Sequence, residues 1–148
     1  MGVQRPDALS EVFHFVRKRV LFIGLNLVGG RVHNRGVWRD KQTAQVALVQ
    51  DLMENTPDIY AVVLMAHAAP SSHHNDFFVP LKAFLQSFTD YPVLYLNGDA
   101  HSWKHVDGGY FGVNHFSQIQ LTGGTSEPPL KISIHPKRSR PFLYDRRL

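Results

Sequence analysis

The sequence predicts an α/β fold whose central strands pair in parallel, and three observations carry the prediction. Two almost purely apolar runs, Ile59-Tyr60-Ala61-Val62-Val63-Leu64-Met65 and Val93-Leu94-Tyr95-Leu96, lack the polar alternation of a half-wet strand. They read as strands buried on both faces. Each run ends in polar, ionisable residues: His67 after the first, and Asp99 and His101 after the Asn97-Gly98 break that closes the second. Segments of helical spacing precede both runs, so strand, helix, strand, helix, strand recur as in βαβ units.

Taken in order, Val12–Val16 reads as a short strand, Arg17-Lys18 as a tight turn, and Arg19–Leu27 as a second strand buried on both faces. Together they predict a β-hairpin, with His14 a packed or edge histidine. Gly29-Gly30-Arg31 follows at once. The paired glycines allow close backbone approach, and Arg31 can present a planar fork to a phosphate. No Gly-Lys-Ser/Thr follows, so this is not a nucleotide-binding P-loop.

Asp40 or Thr43 is expected to start a helix through Met53, with Val46, Val49, Leu52 and Met53 inward and Asn55-Thr56-Pro57 ending it. The polar segment Ser71–Asp76 reads as a wet loop, its His73 and His74 adjacent and so aimed apart. Asp76 is expected to cap a second helix, Phe77–Phe88, with Phe78, Leu81, Leu85 and Phe88 on one stripe and Pro80 in its first turn. Beyond Trp103 a loop rich in Gly and His leads to Phe116–Leu121. That segment alternates apolar with polar and predicts a half-exposed strand; Gly123-Gly124 turns it, and Leu130–Ile134 alternates again. Both are expected to join the sheet edge as antiparallel strands with one face wet.

With 148 residues, 43% hydrophobic and 19% charged, the chain reads as a single globular domain rather than a disordered segment. The absence of cysteine excludes disulfides and thiolate ligands, leaving nitrogen and oxygen as donors to any metal. The net charge of +4 is unevenly placed: from Leu130 onward six Lys/Arg face Asp145, giving +5, and the rest, ten against eleven, gives −1. Basicity thus belongs to the C-terminal end, residues 137–148, which reads as a basic tail. No aromatic interleaving or recognition motif accompanies it, so nucleic acid is not an expected partner. No apolar run approaches the ~20 residues of a membrane-spanning helix. Arg17-Lys18-Arg19 followed by Val20–Val28 is expected to be a strand rather than a signal segment.

The chemistry-bearing residues are His67, Asp99 and His101. Carboxyl ends of parallel strands open into the crevice where ligands bind, and Asp99 and His101, two residues apart, can both reach one ion there, with the imidazoles of His67 and His101 at the same end of neighbouring strands. An isolated Asp-x-His is more often a solvated turn. The order of Ala66-His67-Ala68-Ala69-Pro70, a helix, and Gly98-Asp99-Ala100-His101 resembles the late motifs of calcineurin-like metallophosphoesterases. In that family these are a lone histidine after a strand and Gly-His-x-His after the next.

The resemblance extends from about Phe13 to Ile134 and implies the back half of an αββα sandwich with an antiparallel C-terminal hairpin. It implies a two-metal centre of Mn, Fe or Zn acting on a phosphate ester, with His67 a ligand of one ion and His101 of the other. Asp99 stands where the family places its first paired histidine, and Arg31 is the candidate for substrate phosphate. The family's early motifs, Asp-x-His, Gly-Asp-x-x-Asp and Gly-Asn-His-Asp/Glu, do not occur; Gly98-Asp99 is the one Gly-Asp in the sequence. The resemblance therefore implies a partial domain whose complete site needs an N-terminal half. The alternative expectation is a non-catalytic α/β binding or assembly module that keeps the scaffold without a working metal centre, its incomplete sheet leaving an apolar face and an unpaired edge that favour a homo-oligomer or pairing with another chain.

Overall fold

The computed structural model describes residues 2–30, 33–123 and 128–146. Strands β1 (Phe13–Arg17) and β2 (Val20–Gly24) form the expected hairpin. Lys18 and Arg19 between them both have positive φ, 49° and 64°, as a two-residue turn matched to strand twist requires. Helix α1 (Arg35–Asn55), strand β3 (Ala61–Met65), helix α2 (Asn75–Ser87) and strand β4 (Val93–Asn97) follow. Then come β5 (Lys104–Val106), β6 (Phe116–Gln120), β7 (Lys131–Ile134) and β8 (Phe142–Asp145).

The six-stranded sheet has the order β1-β2-β3-β4-β6-β5, and β7-β8 form a separate antiparallel pair. Strands β2, β3, β4 and β6 run parallel, whereas β1 and β5 close the two edges antiparallel. The fold is α/β, as the apolar runs predict. The succession β2, β3, β4 moves one way across the sheet, so right-handed crossovers put both helices on one face. There Val46, Val49 and Met53 of α1 and Phe77, Phe78, Leu81 and Leu85 of α2 pack with Leu21, Ile23, Val62, Leu64 and Tyr95. On the other face Val20, Ala61, Val63, Leu94 and Ile119 meet Phe142, Ile132 and Ile134 of the β7-β8 pair. Among the described residues no helix is long and apolar enough to cross a membrane.

Several boundaries depart from the sequence reading. Helix α1 begins at Arg35, well before Asp40, because the Asn34 side chain accepts the Val37 N–H and satisfies a free donor of the first turn. Helix α2 begins at Asn75; Asp76 lies inside its first turn instead of capping it, and Pro80 falls in the second turn.

Strand β6 is the larger correction. It pairs parallel with β4 and is buried throughout rather than standing antiparallel with one face wet. Its polar residues Ser117, Gln118 and Gln120 are buried and bonded to Gly108 and Asn97, with Gln118 Oε1 left without a partner among the described residues. The β7 strand pairs with β8 and not with residues 116–121. The basic stretch from 137 thus carries a strand, with Phe142 only 8% exposed and Arg146 seated 4.5 Å over the Trp103 ring.

Candidate metal centre

The register of β3 on β4 builds the site. Met65 lies opposite Leu96, and the ladder continues past both strand ends: Ala66 N–H donates to the Leu96 carbonyl at 3.0 Å. Asp99 N–H and Gly98 N–H donate to the His67 carbonyl at 2.9 and 3.2 Å. His67 and Asp99 are thereby held abreast, and His67 Nε2 stands 3.2 Å from Asp99 Oδ1. Their side chains are 56% and 37% exposed, so the pair faces solvent at the carboxyl edge of the sheet.

Gly29 closes one side of this pair. A Cβ built there would fall 2.6 Å from Asp99 Oδ1, so the carboxylate fills the space a side chain would need. The close backbone approach expected of the paired glycines is therefore made to Asp99. Gly30, at φ 101°, has open space about it.

His101 sits two residues on, in the left-handed region at φ 48°, with its side chain exposed. Its ring edge lies against Gly123, where a Cβ would be 3.5 Å from Cδ2. Among the described residues no three His, Asp or Glu side chains gather as a metal-holding group. The structure thus brings His67 and Asp99 together and leaves His101 outside any such group of three. Arg31 lies outside the described residues.

The donor set of His67 and Asp99 suits a divalent ion. Two ligands at about 2.1 Å from a common ion lie about 3.0 Å apart in octahedral and about 3.4 Å apart in tetrahedral geometry. The observed 3.2 Å falls between these separations.

The loop bearing Asp99 and His101 is tied at both ends by buried amides. Asn97, at the end of β4, donates from Nδ2 to Gln120 Oε1 at 3.0 Å and accepts from Gln118 Nε2 at 2.8 Å. Gln120 Nε2 in turn donates to the carbonyl and hydroxyl of Ser102, at 2.8 and 3.0 Å. One side chain therefore joins the residue before the loop to the residue after it. The sequence reading missed this network, although Gln118-x-Gln120 in a strand beside a strand-ending Asn97 is its trace.

The remaining histidines have other surroundings. His74, expected in a wet loop, is 3% exposed; its ring nitrogens lie 3.0 Å from Ser71 Oγ and 3.0 Å from the Val28 carbonyl. That contact fixes the segment after β2 against the start of α2. Burial holds the His14 and His115 imidazoles below their ordinary range, the latter partly offset by a backbone bond to Phe88. Glu11, bonded by Lys41 at 2.8 Å, by its own backbone and by Asn26, has its carboxyl lowered to about 2. Tyr95, buried beneath the site, donates to the Ala68 carbonyl at 2.6 Å, and desolvation pushes its hydroxyl far up.

No family model matches this chain, and no curated protein or solved structure matches it.

Proposed function

We propose that this chain carries part of the metal site of a metal-dependent phosphoesterase, with His67 and Asp99 as ligands of one divalent ion and His101 serving a second. The observation that supports it is the exposed His67–Asp99 pair, set across the ends of adjacent parallel strands at the spacing of neighbouring ligands. Mn, Fe or Zn bound there would polarise a phosphate ester for displacement. The chain's own residues hold and orient: the His67 carbonyl fixes the Asp99 backbone, Gly29 leaves room for the carboxylate, and Gln120 ties the loop. The remaining ligands come from another polypeptide segment or a second copy, and Arg31 is the candidate for the substrate phosphate.

Titration of the purified chain with Mn or Zn by calorimetry tests the reading. Weak binding that His67→Ala and Asp99→Ala each abolish is expected; tight stoichiometric binding that survives both changes together overturns it. A second reading, an assembly module without a working metal centre, is favoured by the absence of a three-donor group among the described residues. It predicts a defined oligomer in sedimentation together with no metal binding at all.

A further inference from the structure

The β7-β8 pair is fastened to the β5-β6 side of the sheet face opposite the helices, where Arg140 bonds Asp107 at 2.9 Å and the Tyr144 ring lies 4.2 Å from that of His105. At the β1-β2 side the same face ends in aromatic rings. Register and strand alternation place Phe13 opposite Gly24, Phe15 opposite Phe22 and Arg17 opposite Val20, all on this face. Phe13 and Phe15 are half-buried and belong to neither hydrophobic cluster of the fold.

The three rings are nearly parallel. Phe15 stacks on Phe22 at 4.9 Å and 11°, and Phe13 follows Phe15 at 6.4 Å and 6°. A Cβ at Gly24 would overlap the Phe13 ring, which therefore reaches across onto β2. The rings form a recessed aromatic strip, and its border is cationic. Arg5 sits 5.7 Å over the Phe13 ring, Arg17 follows Phe15 along the strand, and Lys18 and Arg19 make the hairpin turn beyond it. All four are exposed, and none forms an ion pair among the described residues. Glu11 is bonded to Lys41, which leaves against them Asp7 and Asp58, the latter's carbonyl accepting Arg19 Nε at 2.8 Å.

We propose that this strip binds single-stranded nucleic acid, roughly two or three successive bases stacking on the phenylalanines while Arg5, Arg17 and Lys18 meet the phosphates. The aromatic interleaving absent from the basic tail is present in this hairpin. Every base has a π-face, so a flat strip favours nucleotides over other polyanions without selecting a sequence. Rings held half-buried in a sheet lack the protrusion with which apolar side chains enter a bilayer, so the same charges favour a strand over an anionic membrane. The surface is made by residues other than His67, Asp99 and His101 and does not rest on the phosphoesterase reading.

Fluorescence anisotropy of labelled oligouridine and oligothymidine, each of about eight nucleotides, tests this on the whole chain. Saturable binding that weakens steeply with salt is expected for both, with inorganic polyphosphate of matched charge competing about tenfold less well. Phe15→Leu, with Phe13→Leu as the alternative if that variant does not fold, should weaken binding about tenfold at an unchanged salt slope. Arg17→Gln combined with Lys18→Asn should weaken it and flatten the slope, whereas Lys137→Gln combined with Arg138→Gln should change nothing. No binding, polyphosphate competing equally, or binding indifferent to both phenylalanine variants would each overturn the proposal. So would tighter association with phosphatidylserine vesicles, loss of binding on the Lys137 and Arg138 changes, or a dimer in sedimentation that Phe15→Leu dissociates.

Discussion

Strand β4 ends between two polar constellations that differ in almost every physical respect. On the β3 side, His67 and Asp99 are exposed, paired with each other and carried on loop backbone. On the β6 side, Asn97, Gln118 and Gln120 are buried and chained together through to Ser102. The buried set has little freedom left: its bonds satisfy groups that would otherwise be desolvated without a partner, Gln118 Oε1 alone among its amide oxygens lacking one among the described residues. The exposed pair has donor capacity facing water. The rigid half thus supplies a frame, and the exposed half is what a cation or substrate can meet.

Breaking the frame should cost the most. Gln120→Leu strands Asn97 Nδ2 and the Ser102 carbonyl, and is expected to destabilise the fold by about 3 kcal/mol in urea unfolding. Gly29→Ala acts on the boundary between the two regions: its new methyl collides with the Asp99 carboxylate. It should cost about 1 kcal/mol in stability and weaken Mn binding about tenfold. His67→Ala, on the exposed side, should change stability by no more than about 0.5 kcal/mol while abolishing that binding. A large loss of stability from His67→Ala, or none from Gln120→Leu, would erase the distinction between frame and face.

The pH dependence sharpens the same contrast. Burial lowers the His14 and His115 pKa values in the folded chain, so the unfolded state takes up protons first as pH falls. Their contribution is fully present above the ordinary imidazole pKa of about 6.5 and is lost as pH drops through the lowered folded values. Urea midpoints should therefore fall on acidification below that range, and His115→Gln should flatten the slope. The smallest effect expected is at the hairpin: Lys18→Asn, which tolerates left-handed backbone better, should gain about 0.5 kcal/mol.

What the sequence disclosed follows from which interactions leave a pattern. Strands β2, β3 and β4 are buried by apolar contact, which appears directly as almost purely apolar runs. Their parallel pairing placed His67, Asp99 and His101 at one sheet edge, but the expected companions were Asp99 with His101 and His67 with His101. The structure pairs His67 with Asp99, and no three-donor group adds His101 among the described residues. Strand β6 is buried by reciprocal amide bonds, and its Gln118 and Gln120 look like a wet face until Asn97 and Ser102 are placed beside them. The start of α1 was hidden for a related reason, since a single bond from Asn34 to Val37 outweighs the weak propensity of Gly36. His74 reads as loop polarity but is a buried strut, because its ring reaches the Val28 carbonyl, 46 residues away in sequence, as well as the nearby Ser71 hydroxyl.

The most direct check on the exposed pair is Mn-induced paramagnetic broadening in amide NMR spectra of the whole chain. The account predicts that Gly29, His67, Gly98 and Asp99 broaden first and that the His67→Ala/Asp99→Ala double variant loses this effect. Broadening that begins elsewhere, or that persists unchanged in the double variant, would contradict it.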